Sequence, residues 1–188
     1  GERELYHEEQ SMQRCALHTL NNLFQRREFR KRDLDRYAVD LSPGAFICPH
    51  KSVLGTGNYD VNVIMRALCE RDLVTRWWDK RKPTAELPLA SSDMFGLIVN
   101  RHSATFRGLW KSRHWFAIAL IDDTYWDCNS NHSVPRPFAS HEALCLFLDN
   151  ELRHHGELLL VLRPTRDAED VAGPVSQADC GEGSSGGV

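Results

Sequence analysis

The chain of 188 residues contains no apolar run approaching the ~20 residues that a membrane-spanning helix requires. No membrane-spanning helix is therefore expected in this sequence. The opening stretch GERELYHEEQ is charged and lacks the apolar centre of a secretory signal, so a cytoplasmic protein is expected, with the nucleus as a second location. Excess positive charge is missing as well, with 23 Lys and Arg against 26 Asp and Glu and a formal net charge of -3. Most of that imbalance lies between Thr165 and Val188, where five acids face the single base Arg166. The body before it is close to neutral and has no surplus of base for gripping phosphates, so no nucleic-acid partner is expected. The same terminal stretch has no aromatic residue and holds five of the twelve glycines. It cannot bury enough apolar surface to offset its ordering entropy. The expected organisation is one folded domain over 1–164 and an acidic, Gly/Ser-rich disordered tail over 165–188.

Paired metal-ligand spacings are also scarce. His18 follows Cys15 in a Cys-x2-His arrangement, but no second pair at ligand spacing accompanies it, so neither a metal nor a cofactor is expected. Six cysteines are present, an even number that would suit disulfides in a secreted chain. Their settings argue otherwise. Cys69 continues the Val61 and Met65 stripe of a predicted helix and Cys145 sits in LCLFL, both readable as small buried apolar residues. Cys48 precedes Pro49 in a loop and Cys180 lies in the tail. Cys15 and Cys128 are left to consider.

Hydrophobic residues make up 41% of the chain, enough for a single core that removes roughly 70% of the unfolded surface from water. Leu17, Leu20, Leu23 and Phe24 recur at helical spacing between Arg14 and Arg27 and predict an amphipathic helix with Cys15 in its first turn. Lys31 to Leu41 reads as a second helix, followed by a loop with Pro43, Gly44 and Pro49, which suggests a helical hairpin. A third helix carries Val61, Ile64 and Leu68 on one face, with Asn58 or Asp60 as its cap. The pattern then changes. MFGLIVN, HWFAIALID, TYWDCNS and ELLLVLRP are short runs rich in β-branched and aromatic residues, and Ser140 to His155 forms a helix between the last two. Helices first and a mainly antiparallel sheet afterwards define an α+β fold.

A thiol at a helix start faces unpaired backbone N–H groups and the positive end of the helix dipole, which favour the thiolate, the nucleophilic form of cysteine. Position alone does not make Cys15 a nucleophile; a base and an orienting group are needed. HWFAIALID and TYWDCNS read as the arms of a hairpin turning near Asp122 and Asp123. A two- or four-residue turn puts His114 and Asn129 on one face, directly opposite or one diagonal step apart, whereas a three-residue turn separates them. Asn129 would then orient the imidazole, or Asp127 of the same parity would, while Cys128 points to the packed face. Gln10, five residues before Cys15, has a side-chain amide suited to an oxyanion hole.

The segments YHEEQSMQRCALHTLNNLFQ and HWFAIALIDDTYWDCNS closely resemble the Josephin family of papain-like cysteine deubiquitinases, and LGTGNYDVNVIMRALCERDLVTRWWDKRKP resembles its short stand-alone members. The likeness covers about residues 6–164. It implies a papain-like fold, with the helical hairpin packed on the sheet, and an isopeptidase acting at the C-terminus of ubiquitin. Carried over by position, Cys15 is the nucleophile, His114 the base and later acid, Asn129 the third triad member and Gln10 the oxyanion-hole residue. The resemblance further implies ubiquitin and polyubiquitin chains as partners, a monomer, and neither metal nor cofactor. Trp77, Trp78 and Trp115 read first as core residues. Family members use aromatics beside the cleft to contact ubiquitin, which makes Trp78 and Trp115 the substrate-contact candidates. The cluster Arg26, Arg27, Arg30, Lys31, Arg32 and Arg36, interleaved with Glu28, Asp33 and Asp35, reads as a solvated helical surface.

Overall fold

The computed structural model describes residues 5–9, 15–43, 59–105 and 110–164. Gln10, Cys48, Asn58, most of the loop after the second helix and the predicted tail lie outside the described residues. Three helices come first: α1 (Cys15–Phe24), α2 (Lys31–Asp40) and α3 (Val61–Cys69). They are followed by β1 (Val74–Trp77), β2 (Met94–Thr105), β3 (Trp110–Ile121), β4 (Thr124–Cys128), β5 (Arg136–Pro137), α4 (His141–Arg153) and β6 (Glu157–Leu162). The six strands form one sheet in the order β1-β6-β2-β3-β4-β5, with every neighbouring pair antiparallel. The α+β expectation holds. The short edge strands β1 and β5 are additions, because neither VTRW nor RP has the length or alternation that marks a strand in sequence.

Period-two alternation sorts the strands into two cores. Trp115, Ala117 and Ala119 of β3 join Ile98, Leu159 and Val161 beneath α1, α2 and α3. Phe116 and Ile118 turn the other way, joining Leu97, Val99, Leu158 and Leu160 beneath Leu144 and Leu148 of α4. Each fully buried leucine in these layers contributes about 1.5–3 kcal/mol relative to an exposed one. Helix caps fall where short oxygen-bearing side chains stand. Asp60 accepts from the N–H groups of Asn62 and Val63, and Ser140 accepts from that of Ala143. Just past the end of α4, His155 takes a φ of 64°, and at Gly156 a Cβ would lie 2.6 Å from the Glu151 carbonyl oxygen, so only glycine passes there.

Helix α1 differs from its amphipathic expectation. Every residue from Cys15 to Leu23 is buried, including His18, Thr19, Asn21 and Asn22. Its apolar side lies so close to the sheet that a Cβ on Gly96 would come within 2.6 Å of Leu23 Cδ1. The polar side is covered by segment 5–9. Asn22 grips the Glu8 backbone from both ends, accepting from its N–H at 2.7 Å and donating to its carbonyl at 3.2 Å. The Glu8 carboxylate accepts from His18 Nδ1 at 2.6 Å, from Asn21 Nδ2 at 3.0 Å and from the Tyr6 hydroxyl. A helix whose polar face is paired in this way runs through the interior without orphaned groups.

Cys69 departs from its expectation, since the last turn of α3 leaves it exposed. Cys145 is half-buried, and Cys128 is fully buried on the packed side of β4.

Candidate active site

The β3–β4 hairpin closes through a two-residue turn in which Asp122 and Asp123 take φ values of 46° and 61°. Short polar residues tolerate this left-handed pair, and the turn fixes the register. Ile121 faces Thr124 and Ala117 faces Cys128. Continued past the end of the ladder, the same register sets Asn129 one diagonal step from His114 and Asn131 directly opposite it. The side chains meet accordingly: His114 Nε2 lies 2.8 Å from Asn129 Oδ1 and 3.2 Å from Asn131 Nδ2.

Asn129 is held from two further directions. Its backbone N–H donates to Asp127 Oδ1 at 3.0 Å, and its Oδ1 also accepts from the Asn131 backbone N–H at 3.0 Å. Asp127 therefore fixes the backbone of Asn129 and does not itself orient the imidazole. Its other oxygen stands 3.5 Å from His132 Nε2, and burial pushes its carboxyl above the usual range. On its far side His114 stacks against Phe116 at 5.9 Å between centroids. Arg101 stands opposite His114 on β2, its guanidinium doubly bound to Glu151 at 2.8 and 2.6 Å.

Cys15 opens α1, and the backbone N–H groups of Trp115, Ala16 and Cys15 itself favour the charged form of its sulfur. The first turn of α1 and the start of the inner part of β3 thus meet where the thiol and the imidazole belong to adjacent stretches of chain. Among the described residues no hydrogen bond joins Cys15 and His114.

The electrostatics correct the expectation for the thiol. Burial raises the Cys15 pKa above its ordinary value, and the three N–H groups only partly oppose that. His114 moves the other way: burial lowers its pKa first, the Asn129 bond opposes this, and Arg101 adds to the lowering. Both shifts favour a neutral thiol beside a neutral imidazole. A helix start lowers a thiol pKa when the sulfur is partly solvated; here only 4% of Cys15 is exposed.

Trp115 is a core residue, 3% exposed beneath α1, and so offers no surface to a substrate. Its position on the inward face of β3 explains the correction. Trp78 is half-buried beside Leu152 and Leu158 in a cleft that exposed Trp77 also lines, with its indole N–H unpartnered. That cleft lies by β1, three strands or about 14 Å from β3. Sequence reasoning overlooked Asn131, Glu8 and the Arg101–Glu151 pair. The first shares the parity of His114 and Asn129 and was open to the same register argument; the other two depend on contacts distant in sequence. Among the described residues no cluster of three His, Cys, Asp or Glu is placed to hold a metal ion, and no helix is long and apolar enough to cross a membrane.

The sequence model of the Josephin family matches residues 10–163. Human Josephin-2 is 37% identical over 171 residues, covering 88% of this chain and 89% of its own length. A Josephin-like protein of Drosophila melanogaster is 37% identical over 172 residues, covering 88% and 77%, and one of Arabidopsis thaliana is 35% identical over 165 residues, covering 81% and 46%. A match across nearly all of the described fold, with relatives this similar in both insects and mammals, establishes that the chain belongs to the Josephin family.

Proposed function

We propose that the protein is a cysteine deubiquitinase that hydrolyses isopeptide bonds at the C-terminus of ubiquitin, with Cys15 as nucleophile, His114 as base and acid, and Asn129 as orienter. The observation that carries this reading is the 2.8 Å contact between His114 Nε2 and Asn129 Oδ1, formed beside the strand residue whose backbone N–H favours the charged form of the Cys15 sulfur. An acceptor at Nε2 favours the tautomer whose Nδ1 keeps a lone pair, the nitrogen left to take the thiol proton. Sulfur then bonds to the carbonyl carbon of ubiquitin's terminal glycine as its proton passes to His114. The imidazolium returns that proton to the departing lysine amine, and water releases the thioester. Because both free groups are neutral, His114 acts as a general base during attack and no ready-made thiolate is required. Gln10 belongs in this scheme as an oxyanion donor, and Trp78 as an aromatic contact for ubiquitin.

Ubiquitin carrying a C-terminal electrophile is expected to label the protein covalently, and Cys15→Ala to abolish labelling. Label that persists in this variant defeats the assignment. A second reading, a ubiquitin-binding module with little turnover, is favoured by the same neutral pair, since a protonated thiol is a poor nucleophile. It predicts shifts in an NMR titration with ubiquitin and no cleavage of lysine-linked chains under reducing conditions.

A further inference from the structure

A neutral imidazole nitrogen carries either a proton or a lone pair, and the two amides at His114 Nε2 ask for different ones. Asn129 presents its carbonyl oxygen at 2.8 Å, which calls for Nε2–H. Asn131 presents its amino group at 3.2 Å, which calls for a lone pair. Asn129 cannot turn over to agree with its neighbour. Its oxygen also holds the Asn131 backbone N–H, its own N–H is tied to Asp127, and its buried Nδ2 has no partner to leave or gain. Asn131 is exposed, so its amide can rotate or withdraw at small cost. Asn129 is the fixed member of the pair and Asn131 the variable one.

We propose that Asn131 is a positioning residue that opposes Asn129 at Nε2 and holds part of the His114 population as the Nδ1–H tautomer, which cannot take a proton from Cys15. The inference deepens the deubiquitinase reading and rests on it for its catalytic consequence. Its physical content concerns the imidazole alone. When His114 becomes the imidazolium, both nitrogens carry protons, and the Asn131 amino group must leave Nε2 or turn its oxygen there. Asn131 thus adds a small reorganisation to the attack step and acts as a brake on the site.

The test is the ¹⁵N imidazole spectrum of the free protein, which reads tautomer without any ubiquitin. Asn131→Ala is expected to increase the Nε2–H fraction, and Asn131→Asp, which replaces a donor by an acceptor, to increase it further. In labelling by the ubiquitin electrophile, Asn131→Ala is expected to be faster by on the order of two- to five-fold, the worth of one modest competing hydrogen bond. The aspartate variant adds a charge and is expected to raise the imidazole pKa. Other charged or titratable groups acting on this ring stay in place in both variants: Arg101 of β2, Asp127 of β4, His132 of the following turn, and Glu151 of α4 through Arg101. An imidazole spectrum unchanged in both variants, or an Nε2–H fraction that falls in Asn131→Ala, overturns the proposal. If the tautomer shifts as stated while neither variant nor wild type is labelled, the tautomer inference stands and the deubiquitinase reading fails.

Discussion

Cys15 in α1 and Cys128 packed against the end of that helix share one core, and their surroundings differ in one decisive respect. Both are buried, at 4% and 0% exposure, and burial raises the pKa of both thiols. Cys128 is pushed up to about 12, helped by the negative charge of neighbouring Asp127 and opposed by the Ala119 N–H and by Gln25 Nε2 at 3.7 Å. Cys15 meets three backbone N–H groups and no carboxylate among the causes of its shift. Neither environment makes a thiolate. Burial outweighs a helix start, so the distinction between them lies in what can receive the proton. The N–H of Trp115, next in chain to a histidine held by two amides, acts on Cys15, whereas Cys128 is acted on by the Ala119 N–H, the Gln25 amide and the Asp127 charge.

Removing the acceptor tests that distinction most severely. His114→Ala is expected to slow labelling of Cys15 by the ubiquitin electrophile about 10²- to 10⁴-fold, the range of a lost general base. Alkylation of the free protein by a small reagent should change far less, because the resting thiol is neutral with or without the imidazole. In wild type the alkylation rate is expected to climb through the alkaline range above pH 9. A plateau of fast alkylation between pH 5 and 8 would instead reveal a thiolate–imidazolium pair and erase the difference drawn between acceptor and environment.

A smaller effect should come from the strap that seats the Cys15 helix. Glu8→Gln keeps the shape of the side chain and removes its charge from the contacts with His18, Asn21 and Tyr6. A loss of about 1.5–3 kcal/mol in unfolding free energy is expected, the worth of hydrogen bonds to a charged group. Those hydrogen bonds hold the Glu8 pKa below its ordinary value despite burial. Its folded pKa is depressed, so the stabilisation is present above the unfolded pKa of about 4.5 and is lost as pH falls through the folded value. Denaturant titrations from pH 7 into the acid range check this: the two proteins should differ clearly at pH 7, and the difference should shrink as pH falls below 4.5. A difference that persists undiminished in acid would mean that the charge of the Glu8 carboxylate is not its source, since the clasp from Asn22 to the Glu8 and Cys128 carbonyls is the same in both proteins.

These contrasts also mark what the sequence can disclose. His114 and Asn129 were legible because a two-residue Asp-Asp turn and period-two parity convert spacing into proximity. The same arithmetic places Asn131 opposite His114. The caps at Asp60 and Ser140 were local and equally legible. Helix α1 was not: its polar residues suggest a solvated face, and only segment 5–9, folded back over it, makes burial tolerable. Trp115 misled for the opposite reason, since an aromatic beside a candidate base invites a surface role while strand parity sends it inward. The sign of the Cys15 shift needed the burial itself, which no spacing encodes.

The smallest expected effect belongs to Cys128. Cys128→Ala removes a buried sulfur that packs beside Gln25 and leaves the Asn22 bond to the backbone carbonyl intact. A cost of about 1 kcal/mol, typical of a modest core truncation, should lower the unfolding midpoint slightly. Labelling by the ubiquitin electrophile should stay within about twofold of wild type, since a loss of that size leaves the chain almost wholly folded. A fall of tenfold or more with the fold intact would tie Cys128 to the chemistry, and burial without an acceptor would no longer separate the inert thiol from the reactive one.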